Sequence, residues 1–538
     1  MREVKPAMRA IYIPILLLFA AFLFFPLGLL FVRSFETADG IDLSNYVTVL
    51  SNAELLKAFG NSVKISGLTA VITTILAFCL AYSIHCTRLY RPVKSVIKTG
   101  ILLPMLLPTI TFGFAIIYSF GNQGIMTKLF GRNLFDIYGF NGLLIGYVIY
   151  TMPSAFLLIN NSFKYMDKKF IIVSKLMGDG TIRSFMNTIL RPLAGTLGGA
   201  FVLSFILSFT DFGIPASVGG TYSVVATQLY QVMLGSIPDF NSGAVIAIVM
   251  LIPVVFSVFL LNYLEKLNFH YDKFSDIELT QHKGRDICFG SISLLVLMGM
   301  FSVFAVMFIA PFLTSFPYDL SLTLKHFIDT FQSGDLTAVY KNSLFVALMT
   351  AVLGTCIAFS SAVLNVRTKL KGKSSMDIIS ILTNTVPGMV LGLSYLLLFN
   401  GSNWKGTFAI IIVCNIVHFF TTPYLMAKNS LSKMNPSWET TGELLGDGWI
   451  RTIYRVILPN SASTVIEMFS YYFINSMVTI SGIIFLVTAQ TTLVASKIKE
   501  LQHFAKFNEI FILSLLIFFT NLVVKLLCDH YQQRQFKH

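Results

Sequence analysis

The sequence predicts an all-α polytopic membrane protein of about twelve transmembrane helices in two tandem six-helix repeats. Three observations predict it. Apolar residues come in runs of about twenty, the length a helix needs to cross the hydrocarbon core. Of 538 residues, 55% are hydrophobic and 12% charged, whereas a soluble globular chain carries about a quarter charged residues. Two polar stretches, Leu176–Pro192 and Leu444–Pro459, share a Gly-Asp-Gly, an Ile-Arg and an Ile-Leu near a proline, 268 residues apart.

The first six spans fall near 10–32, 60–84, 99–120, 140–160, 193–218 and 241–264. The second six fall near 289–314, 343–365, 376–399, 406–427, 461–487 and 509–529. Helices are expected because backbone groups in hydrocarbon find their partners within the segment itself. The first run, Ala10–Val32, has no small-residue cleavage site after it and reads as an anchor, not a removed signal.

Orientation follows from the cations. Arg2, Lys5 and Arg9 precede the first span, and Arg88, Arg91, Lys94 and Lys98 follow the second. Lys164, Lys168, Lys169, Lys175, Arg183 and Arg191 follow the fourth, and Arg367, Lys369, Lys371 and Lys373 occupy the matching loop of the second half. These segments share one side, so the positive-inside rule places both termini in the cytoplasm. The net charge of +13 therefore reflects membrane topology, and nucleic-acid binding is set aside.

The polar stretch Glu265–Asp286 is mixed in charge and free of proline, which reads as a cytoplasmic linker. It divides the chain into a first half at 1–264, a linker at 265–288 and a second half at 289–538. The halves align by more than hydropathy. Asn61-Ser62 opens the second span and Asn342-Ser343 its counterpart, each followed at equal distances by Ala-Phe and Ala (Ala77-Phe78 and Ala81; Ala358-Phe359 and Ala362). Pro108 precedes Gly113 by five residues, as Pro387 precedes Gly392. An even number of spans per half keeps both in the same topology, so the chain reads as a parallel tandem duplication. The six cysteines form no Cys-x-x-Cys pair and read as small buried apolar residues.

The two echoing stretches lie between the fourth and fifth spans of their halves, in loops at about 164–192 and 430–460. Each reads as helix, glycine break, helix and proline entry. Gly178 and Gly446 are placed where φ turns positive, Asp179 and Asp447 where a side chain can cap the next helix ahead of Gly180 and Gly448. Pro459 sits in a first turn, where the missing N–H costs no bond. Such paired polar hinges suggest docking elements for a cytoplasmic partner.

On these residues the chain resembles the permease subunits of bacterial binding-protein-dependent ABC importers, in their fused double, MetI-like form. Their hallmark is a Glu-Ala-Ala loop followed by a glycine and an Ile-x-Leu-Pro. The second copy, "WETTGELLGDGWIRTIYRVILP", keeps Glu439, Gly446 and Ile457-Leu458-Pro459, with Thr440-Thr441 where the alanines belong. The first, "IIVSKLMGDGTIRSFMNTILRP", keeps Gly178 and Ile189-Leu190, but has Ile171 for the glutamate and Pro192 shifted by one. The resemblance implies two coupling helices that fit clefts in two separate ATPase subunits. Gly178 and Gly446 would make the turns, and Glu439 with the adjacent helices the contact surface. It also implies an extracytoplasmic solute-binding protein as partner and a bacterial cell membrane as location. No Walker A loop occurs; no cofactor is expected on this chain, and ATP is hydrolysed by the partners.

Polar groups inside spans mark a candidate translocation path: Asp211, Glu467, Asn475, Ser476 and Thr479, with Asn384, Asn415 and His418 nearby. Asn415 and His418 read more readily as hydrogen-bonding partners between helices, and Asp211, ahead of Phe212-Gly213-Ile214-Pro215, as a cap. Asp211–Met233 looks like permeases for ferric iron and for 2-aminoethylphosphonate, and Phe473–Ser496 more like the latter. The expected cargo is thus a phosphonate, then ferric iron, then a polyamine. An ion-coupled secondary transporter shares the twelve-span plan but has no use for paired docking hinges. A membrane-embedded enzyme would need a histidine or carboxylate cluster that the sequence does not supply.

Overall fold

The computed structural model describes residues 6–37, 40–133, 135–164, 166–167, 169–266, 282–316, 318–332, 334–435 and 437–535. Most of the expected linker, together with Arg2, Lys5 and Lys168, lies outside the described residues. Among those described, eight helices are long and apolar enough to cross a membrane: Pro6–Phe35, Ala53–Cys86, Phe140–Lys164, Thr181–Thr210, Phe240–Leu264, Lys283–Phe312, Asp335–Arg367 and Phe507–Arg534.

Three more spans exist only as bent pairs. Arg91–Leu106 meets Thr109–Phe130 at 108°, Ser375–Thr385 meets Gly388–Phe399 at 100°, and Phe408–His418 meets Thr421–Ser432 at 52°. The spans expected at 99–120, 376–399 and 406–427 are therefore broken, not straight. The span expected at 461–487 is a helix only over Ala462–Val478, 17 residues, after which the chain leaves helical geometry at Thr479.

The chain forms two compact units. One comprises Leu50–Tyr230 and Ile252–Leu324. Its centre is the helix Ala53–Cys86, packed against Phe140–Lys164 and Arg191–Thr210. Thr73 and Thr151 share a hydrogen bond of 2.9 Å across the first of these contacts. The helix Lys283–Ile309 also packs here, and Ser83 Oγ bonds both Ser293 Oγ at 2.6 Å and the Phe289 carbonyl at 3.0 Å.

The other unit comprises Met1–Val49, Gln231–Leu251 and Lys325–His538. The helix Gly334–Arg367 runs through it, against Ala462–Val478 and Thr421–Ser432. Here Pro6–Phe35 lies on Gly388–Phe399. A π-turn at Ala20–Phe24 interrupts that first helix, and Tyr395 donates its hydroxyl to the Phe22 carbonyl at 2.5 Å. The Phe22 ring packs among Tyr395, Phe399 and Trp404. The boundaries at 264 and 289 describe the sequence repeat, whereas each compact unit takes its first helix from the opposite repeat.

The duplication reaches further than the spans. A short hairpin, Glu36–Thr37 with Gly40–Ile41, has a counterpart in Leu313–Ser315 with Asp319–Leu322. Each leads to a short helix, Ser44–Ser51 or Lys325–Gln332, ending two residues before the next long helix begins. Leu43, Val47 and Leu50 are exposed along the first, and Leu324, Ile328 and Phe331 at the same repeat positions along the second. Val49 and Thr330 are the buried anchors. An apolar stripe at i, i+4, i+7, tethered to a spanning helix, suits the lipid boundary. In a background without native cysteines, nitroxides at Val47→Cys and Ile328→Cys in vesicles are expected to meet dissolved oxygen more readily than a water-soluble nickel chelate. The reverse order would put the stripes in water.

Candidate functional site

The two hinges have the same backbone. After the helix Lys169–Leu176, Gly178 turns at φ +80, and the Asp179 N–H donates back to the Ser174 carbonyl at 3.1 Å. After Ser437–Leu444, Gly446 turns at φ +82, and the Asp447 N–H donates to the Gly442 carbonyl at 2.9 Å. This six-to-one closure with a left-handed glycine satisfies the last carbonyls of each helix. Gly180 and Gly448 then start the helices Thr181–Phe185 and Trp449–Thr452 with no side-chain cap.

The aspartates therefore brace the turns instead of capping the next helices. Asp179 accepts from Ser174 Oγ at 2.7 Å and pairs with Arg183 at 3.2 Å. Asp447 pairs with Arg451 and Arg455, both at 3.5 Å. Each hinge holds three apolar side chains out at its tip. Leu176, Met177 and Ile182 are 82%, 79% and 81% exposed; Leu444, Leu445 and Ile450 are 84%, 80% and 53% exposed. Apolar groups clustered in this way mark an interaction surface. Glu439, which the resemblance placed on that surface, is buried and faces Arg367 at 3.6 Å.

Beyond each hinge comes a π-turn, Met186–Leu190 or Ile453–Ile457. It stands two residues ahead of Pro192 in one copy and of Pro459 in the other. The one-residue displacement of Pro192 is thus matched by an equal displacement of its π-turn. A proline cannot donate to the turn behind it, and the wider turn absorbs the misfit. In the first copy the whole element, Thr181–Thr210, is one helix of 30 residues, about 45 Å at 1.5 Å per residue.

At the far end of that rod the helix stops. Asp211 and Thr479, equivalent in the repeats, are the C-cap residues of Arg191–Thr210 and Ala462–Val478, both extended. Asp211 is buried and accepts from the Ile214 N–H at 2.9 Å, starting the short helix Gly213–Val218. Each broken third span meets the segment after this stop through a glycine. A Cβ on Gly113 would run into Ser217, and one on Gly392 into the Gly482 carbonyl. Leu107 and Val386, just before the prolines at the bends, are extended, as the pyrrolidine ring demands of its predecessor.

The remaining path candidates divide. Asn475, Ser476 and Thr479 gather at the end of Ala462–Val478. Ser476 is buried and accepts from Asn415 Nδ2 at 2.9 Å, the inter-helix role expected of Asn415. Asn475 Nδ2 returns to the Tyr471 carbonyl of its own helix at 2.8 Å. Glu467 is exposed in the second turn, about 12 Å along the helix from Asn475 at 1.5 Å per residue. His418 ends the helix before the fourth break, and its Nδ1 is buried without a hydrogen-bond partner.

The Asn-Ser pairs do what sequence matching alone did not reveal. Asn61 Nδ2 donates to the Ser223 carbonyl at 3.0 Å, and Ser62 Oγ accepts from the Val225 N–H at 2.8 Å. Asn342 repeats the first bond to the Thr492 carbonyl at 3.3 Å, and Ser343 the second from the Val494 N–H at 2.8 Å. Each pair fastens the second span to the start of a helix, Val225–Leu234 or Val494–His503. The broken fifth element is thereby held at both ends, by the hinge on one side and this clamp on the other.

Comparison with known proteins agrees with the duplication. Residues 73–267 and 354–537 each match the model of the family described as binding-protein-dependent transport system inner membrane component. The putative ferric transport system permease protein FbpB 1 of Haemophilus influenzae is 26% identical over 89% of this chain and 77% of its own length. The ferric transport system permease protein FbpB of Actinobacillus pleuropneumoniae is 26% identical over 89% of this chain and 71% of its length. The molybdenum transport system permease protein ModB of Escherichia coli is 25% identical, and its match covers 34% of this chain and 81% of its own.

Proposed function

The chain belongs to the family of binding-protein-dependent transport system inner membrane components, and from that premise we propose that it is the membrane subunit of an ATP-driven importer, with both repeats fused in one polypeptide. The observation that carries this reading is the pair of matching hinges, alike in glycine φ, capping bond, aspartate brace and exposed apolar tip. A pair of ATPase subunits needs two such sockets, one per cleft. Members of this family are not catalytic by themselves, so the motor is a separate chain.

The lever follows from the geometry. Closure of the ATPase pair on ATP displaces the hinge tips. In the first copy the continuous helix Thr181–Thr210 carries the displacement to the stop at Asp211. In the second the path to Thr479 runs through Leu458–Asn460, a break at Ser461 and the helix Ala462–Val478. Each stop lies against the broken third span through Gly113 or Gly392. A rigid element with two packed arrangements converts a local shift into opening and closing. On this reading the hinges and both termini face the cytoplasm of a bacterial inner membrane, which the positive-inside rule supports, and the solute-binding protein works on the other face.

For cargo, the two relatives spanning 89% of this chain are ferric transport permeases, which favours ferric iron over the 2-aminoethylphosphonate suggested by Phe473–Ser496. The test is reconstitution of the chain with its ATPase subunits and binding protein in proteoliposomes. ATP-dependent uptake of radiolabelled ferric iron is expected. Preference for 2-aminoethylphosphonate would move the cargo, and uptake driven by an ion gradient without ATP would sink the importer reading.

A further inference from the structure

The second hinge carries a buried ion pair at its root. Arg367 ends the helix Gly334–Arg367, and Glu439 lies in the first turn of Ser437–Leu444. Their side chains are 6% and 7% exposed and stand 3.6 Å apart, Nε to Oε1. Arg367 also donates to the Met434 carbonyl at 3.0 Å, so one guanidinium grips the chain on both sides of the start of the hinge helix. Each charge also sits at the favourable end of its helix dipole, the cation at a C-terminus and the anion at an N-terminus.

The first repeat replaces both members. Its long helix Ala53–Cys86 has the same 34 residues as Gly334–Arg367, and Cys86 stands where Arg367 stands. Ile171 stands where Glu439 does. Where the second repeat has a buried ion pair, the first has two uncharged residues. That is the pattern expected when loss of a single partner strands a desolvated charge, while replacement of both by apolar groups is tolerated.

We infer that Arg367 is a positioning residue for the second hinge, fixing Glu439 within the chain so that this hinge moves with the helix Gly334–Arg367, whereas the equivalent positions of the first hinge, Cys86 and Ile171, carry no charge. The inference rests on the importer reading for its functional consequence. Glu439 is then not offered to the ATPase, and the second socket is engaged through Leu444, Leu445 and Ile450. The two sockets are then anchored differently and transmit unequally.

The experiment uses the full chain with its ATPase subunits and binding protein in proteoliposomes, reading solute imported per ATP hydrolysed. Arg367→Met and the nearly isosteric Glu439→Gln are each expected to assemble and hydrolyse ATP, but to lower that ratio at least about tenfold, since each removes one charge of the buried pair that ties the hinge helix to Gly334–Arg367. The double variant Arg367→Cys/Glu439→Ile, which installs the first repeat's pair, is expected to recover to within about threefold of the original, as coupled neighbours should. Unchanged ratios in the single variants, or a double variant no better than they are, overturn the inference. So does a fall in assembled complex that accounts for all lost uptake, since that is a structural role only. Hydrogen exchange on the full chain alone separates this from failure of the importer reading. Faster exchange over 437–444 in the single variants, and not in the double, supports the tie whether or not the chain imports anything.

Discussion

Valine at both Gly178 and Gly446 is expected to leave the spanning helices intact and to abolish coupled uptake. Neither glycine is crowded, as a Cβ built at either position meets nothing within 4 Å. The objection is purely conformational. At φ +80 and +82, a β-branched residue pays roughly 1–3 kcal/mol, which is enough to shift each hinge into another turn. The closing bonds from Asp179 to Ser174 and from Asp447 to Gly442 would be lost, and Leu176 and Leu444 would point elsewhere. Measured in proteoliposomes, ATP hydrolysis should continue while uptake falls by at least about tenfold, a change worth some 1.4 kcal/mol. Asparagine, which tolerates left-handed backbone, should be far milder at the same positions. Full uptake by the double valine variant would remove the hinges from the mechanism.

Gly392→Ala is expected to act through the opposite cause. Its φ is ordinary, but the added methyl would collide with the backbone carbonyl of Gly482. A carbonyl held by its own chain does not swing aside as a side-chain tip would, so the helix Gly388–Phe399 must back away. Overpacking of this kind costs about 1–3 kcal/mol and occasionally more. The expected result is less full-length chain recovered from membranes and loss of uptake in what remains. Gly299→Ala is the comparison: its Cβ would meet open space, and alanine in a helix interior gains up to about 1 kcal/mol over glycine. Equal recovery of the two variants would show that the close approach is not needed.

The contrast between these two glycine sites also shows what the sequence discloses. Gly178 and Gly446 were legible because a glycine between two polar helical stretches has few uses other than a left-handed turn. The Pro-x4-Gly spacing of the third spans was visible, but its consequence was not. Pro14, Pro153 and Pro253 lie inside continuous helices, whereas Pro108 and Pro387 stand at bends near 100°. A proline only weakens a helix locally; whether the helix breaks depends on what packs there, and that is settled by residues far away in the chain. Asn61-Ser62 and Asn342-Ser343 stood out as matched polar pairs, yet their partners lie some 160 and 150 residues on. The burial of Glu439 was hidden for the same reason, since its partner Arg367 belongs to another span. Hydropathy sets the number of spans but is silent on which of them touch, so the exchange of first helices left no trace in the sequence.

That exchange has a consequence for synthesis. The surface that the helix Pro6–Phe35 packs on, Gly388–Phe399, is made roughly 350 residues after it. At 5–20 residues per second the wait is about 20 to 70 seconds. Until then the Phe22 carbonyl lacks the Tyr395 hydroxyl that it accepts from in the finished fold. The first unit is likewise incomplete until Lys283–Ile309 has emerged. The first repeat is therefore unfinished when its own last residue leaves the ribosome: its body waits for Lys283–Ile309, and its first helix for a surface made near the end of the second repeat.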